Sequence, residues 1–245
     1  MAISDDNFAT TQYVQTDNTV GSTFNINNFR TYASWGSGSG TFIIGLAANK
    51  TYKVKVKARQ GLFTETPWGP TASASTSNLT LTFDIDIGPT DPGETAGPYT
   101  VALGSLSAGS VTTATDKIWI DFETNGEAGG FVYVYDANTG LRSSALNYTI
   151  DSSTANLTGA SEGYGLQGSS VAQSSGGPLA KESPYDGTSE NVGIVSSAIR
   201  VILNSSSNPI VAGRASIAVK AKISTTTPAS SDYSDTLTMI ASASY

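Results

Sequence analysis

The chain contains no cysteine and no histidine in its 245 residues. That double absence removes thiol nucleophiles, thiolate and imidazole metal ligands, imidazole bases and the Ser/His/Asp triad in one step. A chain without thiols is also indifferent to redox compartment, which suits exported and cytosolic proteins alike. Charge is scarce as well, at 13% of residues against about 25% in ordinary globular proteins. Ser, Thr, Asn and Gly must therefore coat the surface, and these residues suit strands and turns better than helix interiors. The charge that remains is mostly acidic, with a net value of −7 and a pI near 4.5. A phosphate backbone or an anionic membrane surface would be repelled, so nucleic acid is not expected as a partner. No run approaches the roughly 18 apolar residues of a membrane helix, and membrane insertion is not expected. A basic-plus-apolar leader is also missing from the opening residues. Met1-Ala2-Ile3-Ser4-Asp5-Asp6 is expected to be an added start on the mature part of an exported protein.

What the chain does have is alternation of apolar and polar residues at period two, broken at Gly, Pro, Asn and Asp. Over Tyr52 to Ala58, the residues Tyr52, Val54, Val56 and Ala58 point one way and Lys53, Lys55 and Lys57 the other. Over Leu79 to Ile87, the inward set is Leu79, Leu81, Phe83, Ile85 and Ile87, and Thr80, Thr82, Asp84 and Asp86 face out. Ile118 to Phe122, Phe131 to Tyr135, Ala145 to Ile150, Ile199 to Leu203, Ala215 to Ile223 and Leu237 to Tyr245 carry the same signal. Turn clusters separate these runs, and nothing resembles an amphipathic crossover helix. The fold class is therefore all-β, with two antiparallel β-sandwich domains in tandem. The Pro-rich segment from Gly88 to Pro98 is the expected linker, which sets domains at 1–87 and 99–245. The Ser/Gly-rich stretch from Gly159 to Gly193 is expected to be an exposed excursion.

The stretch Thr41-Phe-Ile-Ile-Gly-Leu-Ala-Ala-Asn-Lys-Thr-Tyr-Lys-Val-Lys-Val-Lys-Ala-Arg59 resembles the second half of a fibronectin type III module. Leu46, Tyr52, Val54, Val56 and Ala58 occupy the matching places, and the resemblance implies a corner role for Tyr52, with its hydroxyl bonded to nearby backbone. The family's opening strands and core Trp have no counterpart upstream, because Trp35 comes too late, so the module looks about two strands short. The ending Pro228-Ala-Ser-Ser-Asp-Tyr-Ser-Asp-Thr-Leu-Thr-Met-Ile-Ala-Ser-Ala-Ser-Tyr245 resembles the closing strand of bacterial pilin and spore-coat-protein-U domains. That likeness covers the last third of the second half. Together the two resemblances imply immunoglobulin-like sandwiches and a surface location, and they carry over no catalytic residue.

Four acids form the main candidate site. Asp84 and Asp86 lie two apart on one strand face, so their side chains stand roughly 7 Å apart, a spacing open to inverting glycosidases. With Asp91 and Glu94 they form an oxygen-only set suited to Ca2+, against the plainer reading of a solvated acidic linker. Asp116, Asp121, Glu123 and Glu127 are spaced more loosely and are taken as surface. The glycines at 36, 38 and 40 precede a strand and not a helix, which leaves a flexible turn in place of a phosphate cradle. The Lys53/Lys55/Lys57 ridge is expected to keep the strand face soluble. Trp35, Trp68 and Trp119 are candidates for a sugar-stacking platform or for packing. Asn49, Asn78, Asn147, Asn156 and Asn204 open Asn-x-Ser/Thr triplets, which a chain this rich in Ser and Thr produces by chance.

These features lead to an expectation of a non-enzymatic, exported bacterial surface protein, extracellular in location. Its first reading is a structural or filament subunit that assembles with copies of itself or other surface proteins by exchange of terminal strands. The alternative is an adhesin or a carbohydrate- or protein-binding module with glycans as ligands, and the third reading is a carboxylate-dependent glycoside hydrolase. No cofactor is required beyond the candidate structural Ca2+.

Overall fold

The computed structural model describes residues 1–62 and 64–244. Among them the only helical pieces are three 3-10 turns, Ile26–Asn28, Ala33–Trp35 and Ser37–Ser39. The remainder is an all-β chain with several antiparallel sheets, as the alternation requires. No helix among the described residues is long and apolar enough to cross a membrane. The chain divides into two compact units, Met1–Asn78 and Leu79–Tyr245.

The first unit holds a five-stranded sheet built from β1 (Ala2–Ser4), β2 (Gln12–Val14), β3 (Val20–Gly21), β4 (Thr51–Lys55) and β5 (Ala72–Ser75) in the order β3-β2-β1-β4-β5. Strand β1 is central and buried at all three residues. The opening residues thus supply three strands that alternation did not mark, because runs of two or three residues are too short to show a period. A single sheet and one two-residue ribbon, Arg59–Gln60 against Thr64–Glu65, stand in this unit where two layered sheets were expected. Tyr52 behaves as a corner residue would, its hydroxyl accepting from the Ala47 amide at 3.0 Å. The lysine ridge does not. Lys55 lies 3.9 Å from the centre of the Phe8 ring, and Lys57 sits between Phe24 and Trp68 at 4.7 and 5.0 Å. Val56, expected inward, is 55% exposed. Cation–ring attraction and burial of the lysine stems reverse the expected polarity there.

In the second unit, β6 (Leu81–Gly88), β7 (Lys117–Thr124), β9 (Gly163–Ala172) and β12 (Ile210–Lys222) form one sheet in the order β9-β12-β7-β6, with Val111–Thr113 and Ser175–Gly176 also pairing β12. Strands β8 (Gly130–Asp136), β10 (Ala180–Lys181), β11 (Arg200–Asn204) and β13 (Leu237–Ala243) form another, ordered β10-β11-β8-β13. Tyr245, placed by the sequence in the closing strand, lies outside the described residues. Strand β7 follows its alternation strictly, burying Ile118, Ile120, Phe122 and Thr124. Ile118, Ile120 and Phe122 share one core with Val132 and Val134 of β8 and with Ile202 and Leu203 of β11.

Two expected boundaries move. Strand β6, assigned by sequence to the first domain, pairs along its whole length with β7 and belongs to the second unit. The stretch from Gly159 to Gly193 is packed, not exposed, with Tyr164, Leu166 and Tyr185 fully buried. Its small residues permit close approach: a Cβ on Gly165 would come within 2.7 Å of the Gly193 carbonyl oxygen. Glycine here serves packing, and composition alone reads it as flexibility.

Truncating the core should be expensive. Phe122→Ala is expected to cost about 3–5 kcal/mol in urea unfolding, whereas Ile199→Ala, at a 60% exposed position, should stay within about 0.5 kcal/mol.

Candidate acidic site

The outward residues of β6 and β7 meet in register. Asp84 stands opposite Asp121, Asp86 opposite Trp119, and on the far edge of β7 Asp121 stands opposite Arg214 of β12. Strand periodicity therefore builds a row Asp84, Asp121, Arg214 across three strands. Like charges directly opposite one another destabilise a sheet unless a cation joins them.

Arg214 is that cation. Its Nη1 donates to Asp86 Oδ2 at 2.8 Å and to Asp121 Oδ2 at 2.6 Å. The other edge grips Asp91, Nη2 to Oδ1 at 2.6 Å and Nε to Oδ2 at 3.2 Å, the fork geometry that favours arginine over lysine. The guanidinium carbon lies 5.5 Å from the centre of the Trp119 ring, whose Nε1 donates to the Gly88 carbonyl at 3.0 Å.

The segment from Gly88 to Pro98 turns back onto this face. Thr95 donates from its amide and its hydroxyl to Asp86 Oδ1 at 2.7 and 3.1 Å, and the Ile87 amide donates to Thr95 Oγ1 at 3.1 Å. Both of its flanks lie in the second unit, so this segment is a site loop and not an interdomain linker. It places Glu94 beside Asp84, and the negative charge of Asp84, then of Asp86, holds the exposed Glu94 carboxyl above its ordinary value. Tyr99 closes the loop by donating to the Thr95 carbonyl at 3.3 Å. Its hydroxyl is raised by burial and then by Asp84, Asp86 and Glu94.

Burial pulls the Asp86 carboxyl upward, and the hydrogen bonds from Arg214 and Thr95 outweigh it, leaving the group below its ordinary value. Asp84, Asp86 and Asp121 each offer a carboxylate oxygen within 4.8 Å of the others. That is about twice a Ca2+–oxygen bond, the largest separation two ligands of one ion can have. A three-aspartate cluster able to hold a divalent cation is therefore present.

Of the four acids expected to bind Ca2+, Asp84 and Asp86 come together in this cluster, Asp91 is turned to Arg214, and Glu94 reaches the cluster through Asp84. Asp121, taken as surface, is the third member. Its signal was the alternation that puts it beside Trp119 on the outer face of β7. Arg214 had no local signal, being 93 residues from Asp121. The approach of Asp84 to Asp86 within 4.8 Å also corrects the wider spacing expected of them. The expectation of a chain without catalytic equipment is overturned by the same cluster, since three converging aspartates able to hold a metal ion are a means of binding or catalytic chemistry. Trp35 and Trp68 belong to the first unit, where Trp35 carries Arg30 at 3.8 Å, so Trp119 alone of the three lies at this site.

Fold and site define an all-β protein with an acidic, cation-competent sheet face. Comparison with family models, with curated proteins and with solved structures returned no match to the chain.

Removing the organising cation tests this geometry. In Arg214→Met, Asp86 keeps its burial and loses its charge partner, at an expected cost of about 3 kcal/mol, the low end for a broken buried pair because Asp91 and Asp121 still see water. In the native chain the depressed Asp86 carboxyl contributes stability above about pH 4, its unfolded value, and loses it as pH falls through the lower folded value. In the variant only the two Thr95 hydrogen bonds oppose burial, so the gain in stability on going from acid to neutral pH should shrink. Urea midpoints at pH 3, 5 and 7 read the change.

Proposed function

We propose that this chain is a surface binding module that engages a glycan through the acidic face of its second unit, organised by a bound calcium ion. The observation that carries the reading is the gathering of five carboxylates, Asp84, Asp86, Asp91, Glu94 and Asp121, around the single guanidinium of Arg214. One positive charge leaves a surplus of negative charge, and an oxygen-only ligand set selects a hard cation. Trp119 and the 45% exposed Tyr99 flank the acids and supply ring faces on which a sugar can stack. The two larger sheets of the second unit are read as the layers of an immunoglobulin-like sandwich, supported by their common core. An extracellular location suits a calcium site of this kind.

Assembly by strand exchange has less support. Strand β1 is already held between β2 and β4, and β13 is already paired with β8, so a donated strand would have to displace local pairing.

A hydrolytic reading draws on the raised carboxyl of Glu94 beside Asp84, which gives Glu94 the means to act as a general acid. The contact is closer than the roughly 6.5–9.5 Å that an inverting hydrolase leaves for its water, and binding is favoured for that reason. Glu94→Gln should leave glycan binding intact. Loss of reducing-end release from a bound glycan in that variant would instead support hydrolysis.

Calcium should raise the melting temperature, by the equivalent of about 1.4 kcal/mol at ten times Kd, with Kd expected near 0.1–1 mM as in extracellular modules. Asp84→Asn and Asp121→Asn should each abolish the rise, and EDTA should remove binding on a glycan array. An unchanged melting temperature in millimolar Ca2+, with array binding insensitive to EDTA, would sink the reading.

A further inference from the structure

The second unit contains another feature, separate from the acidic face. An open cleft of about 1010 Å3 lies between the segment Tyr99 to Leu106, the ends of β6, β7 and β13, and the stretch Thr227 to Thr236. That volume is at the upper end of the roughly 300–1,000 Å3 range of small-ligand sites. Its walls include Ile87, Val101, Leu103, Ile118 and Met239, and Asp235 is the one charged residue that lines it.

Asp235 does not stand alone. Asp136, at the end of β8 and fully buried, stands beside it, and the Oδ2 atoms of both are buried without a hydrogen-bond partner among the described residues. The remaining oxygens are held by backbone, Asp136 Oδ1 by the Asn138 amide at 2.6 Å and Asp235 Oδ1 by the Thr236 amide at 2.7 Å. Tyr164 of β9, also buried, lies close by, and burial, then the charge of Asp235, holds its hydroxyl well above its ordinary value. No Lys or Arg forms an ion pair with either aspartate among the described residues. An apolar cleft thus ends on a carboxyl pair that lacks a cation.

We propose that the cleft binds an amphipathic primary amine, its apolar body along Ile87, Val101, Leu103 and Met239 and its ammonium group on Asp235. The chemistry follows from the two ends. Apolar walls ask for a hydrocarbon or aromatic body, and a buried carboxyl pair without a counter-charge is stabilised most by a cation that enters with the ligand. An ammonium brings three donors, enough for the aspartate oxygens and the Tyr164 hydroxyl. A carboxylate ligand would be repelled, and an alcohol would supply one donor and no charge.

In acid the amine must displace the proton on Asp235. Burial, then the neighbouring Asp136, pushes the Asp235 carboxyl up to about 7, while an alkyl ammonium resembles the lysine side chain in keeping its charge to about pH 10. The groups facing Asp235 are Asp136 and Asn138 after β8, Tyr164 of β9 and the Thr236 amide, and none of them is cationic. Binding should therefore tighten as pH rises from 5.5 to 8.

Isothermal titration of the full chain with octylamine, octanol and octanoate separates the terms. At pH 8 octylamine is expected to bind at least about tenfold tighter than octanol, as a charge-assisted hydrogen bond requires, and octanoate more weakly than either. Asp235→Asn should bring octylamine down to the level of octanol, with Asp136→Asn as the second variant if the first is unstable. Val101→Trp should weaken all three by filling the cleft. Asp84→Asn, on the outer face, should change none of them. Failure of all three probes to bind overturns the site. Equal binding of amine and alcohol, or an amine preference that survives both Asn variants, overturns the role of the carboxyl pair.

Discussion

Pairing along both edges of β12 is the constraint on which the second unit depends. Over its thirteen residues this strand hydrogen-bonds β7 and the short strand Val111–Thr113 on one side and β9 and the short strand Ser175–Gly176 on the other. Register then does the rest. It puts Arg214 opposite Asp121, which brings a guanidinium to Asp86 and, through the returning loop, to Asp91. Further along the same strand, Lys220 and Lys222 are buried beneath the packed excursion, where their ammonium groups donate to the Ser189 and Thr158 carbonyls at 2.5 and 2.8 Å. A slip of one residue would turn Arg214 into the core and leave the acids without a partner.

Charge is divided unevenly between the units, and each unit handles its surplus differently. The first has six Lys and Arg against four Asp and Glu, and the second has seven against sixteen. With few carboxylates at hand, the cations of the first unit turn to ring faces: Arg30 to Trp35, Lys55 to Phe8, Lys57 to Phe24 and Trp68. In the second unit the shortage is of cations. Lys181 and Lys222 are committed to backbone carbonyls, Lys220 is divided between the Ser189 carbonyl and Glu190, and Arg214 is shared among three aspartates. Two groups of acids are left with less positive charge than they can use, one on the outer sheet face and one at the end of an apolar cleft. In the first the carboxyl of Glu94 and in the second that of Asp235 is held above its ordinary value, the same response to the same deficit.

Alternation by itself determined the all-β class, the strands β6, β7, β8, β11, β12 and β13 of the second unit and the outward placement of Asp84 and Asp86, because side-chain direction in a strand depends only on parity. It also placed Asp121 and Trp119 on one face of β7, although it could not say which strand would lie alongside. The lack of Cys and His left oxygen as the only hard ligand atom, so the chemistry of any metal site was legible before its location. Tertiary structure decided what met what. Asp121 joins Asp84 through register between strands more than thirty residues apart, and Arg214 and Asp235 reach their partners over still longer separations. Local pattern carries no trace of such pairings, since each is the product of which edges find each other. The reversed lysine ridge and the packed glycine-rich excursion were hidden for a related reason: whether a lysine faces water or a ring, and whether a glycine bends or packs, depends on what the fold brings against it.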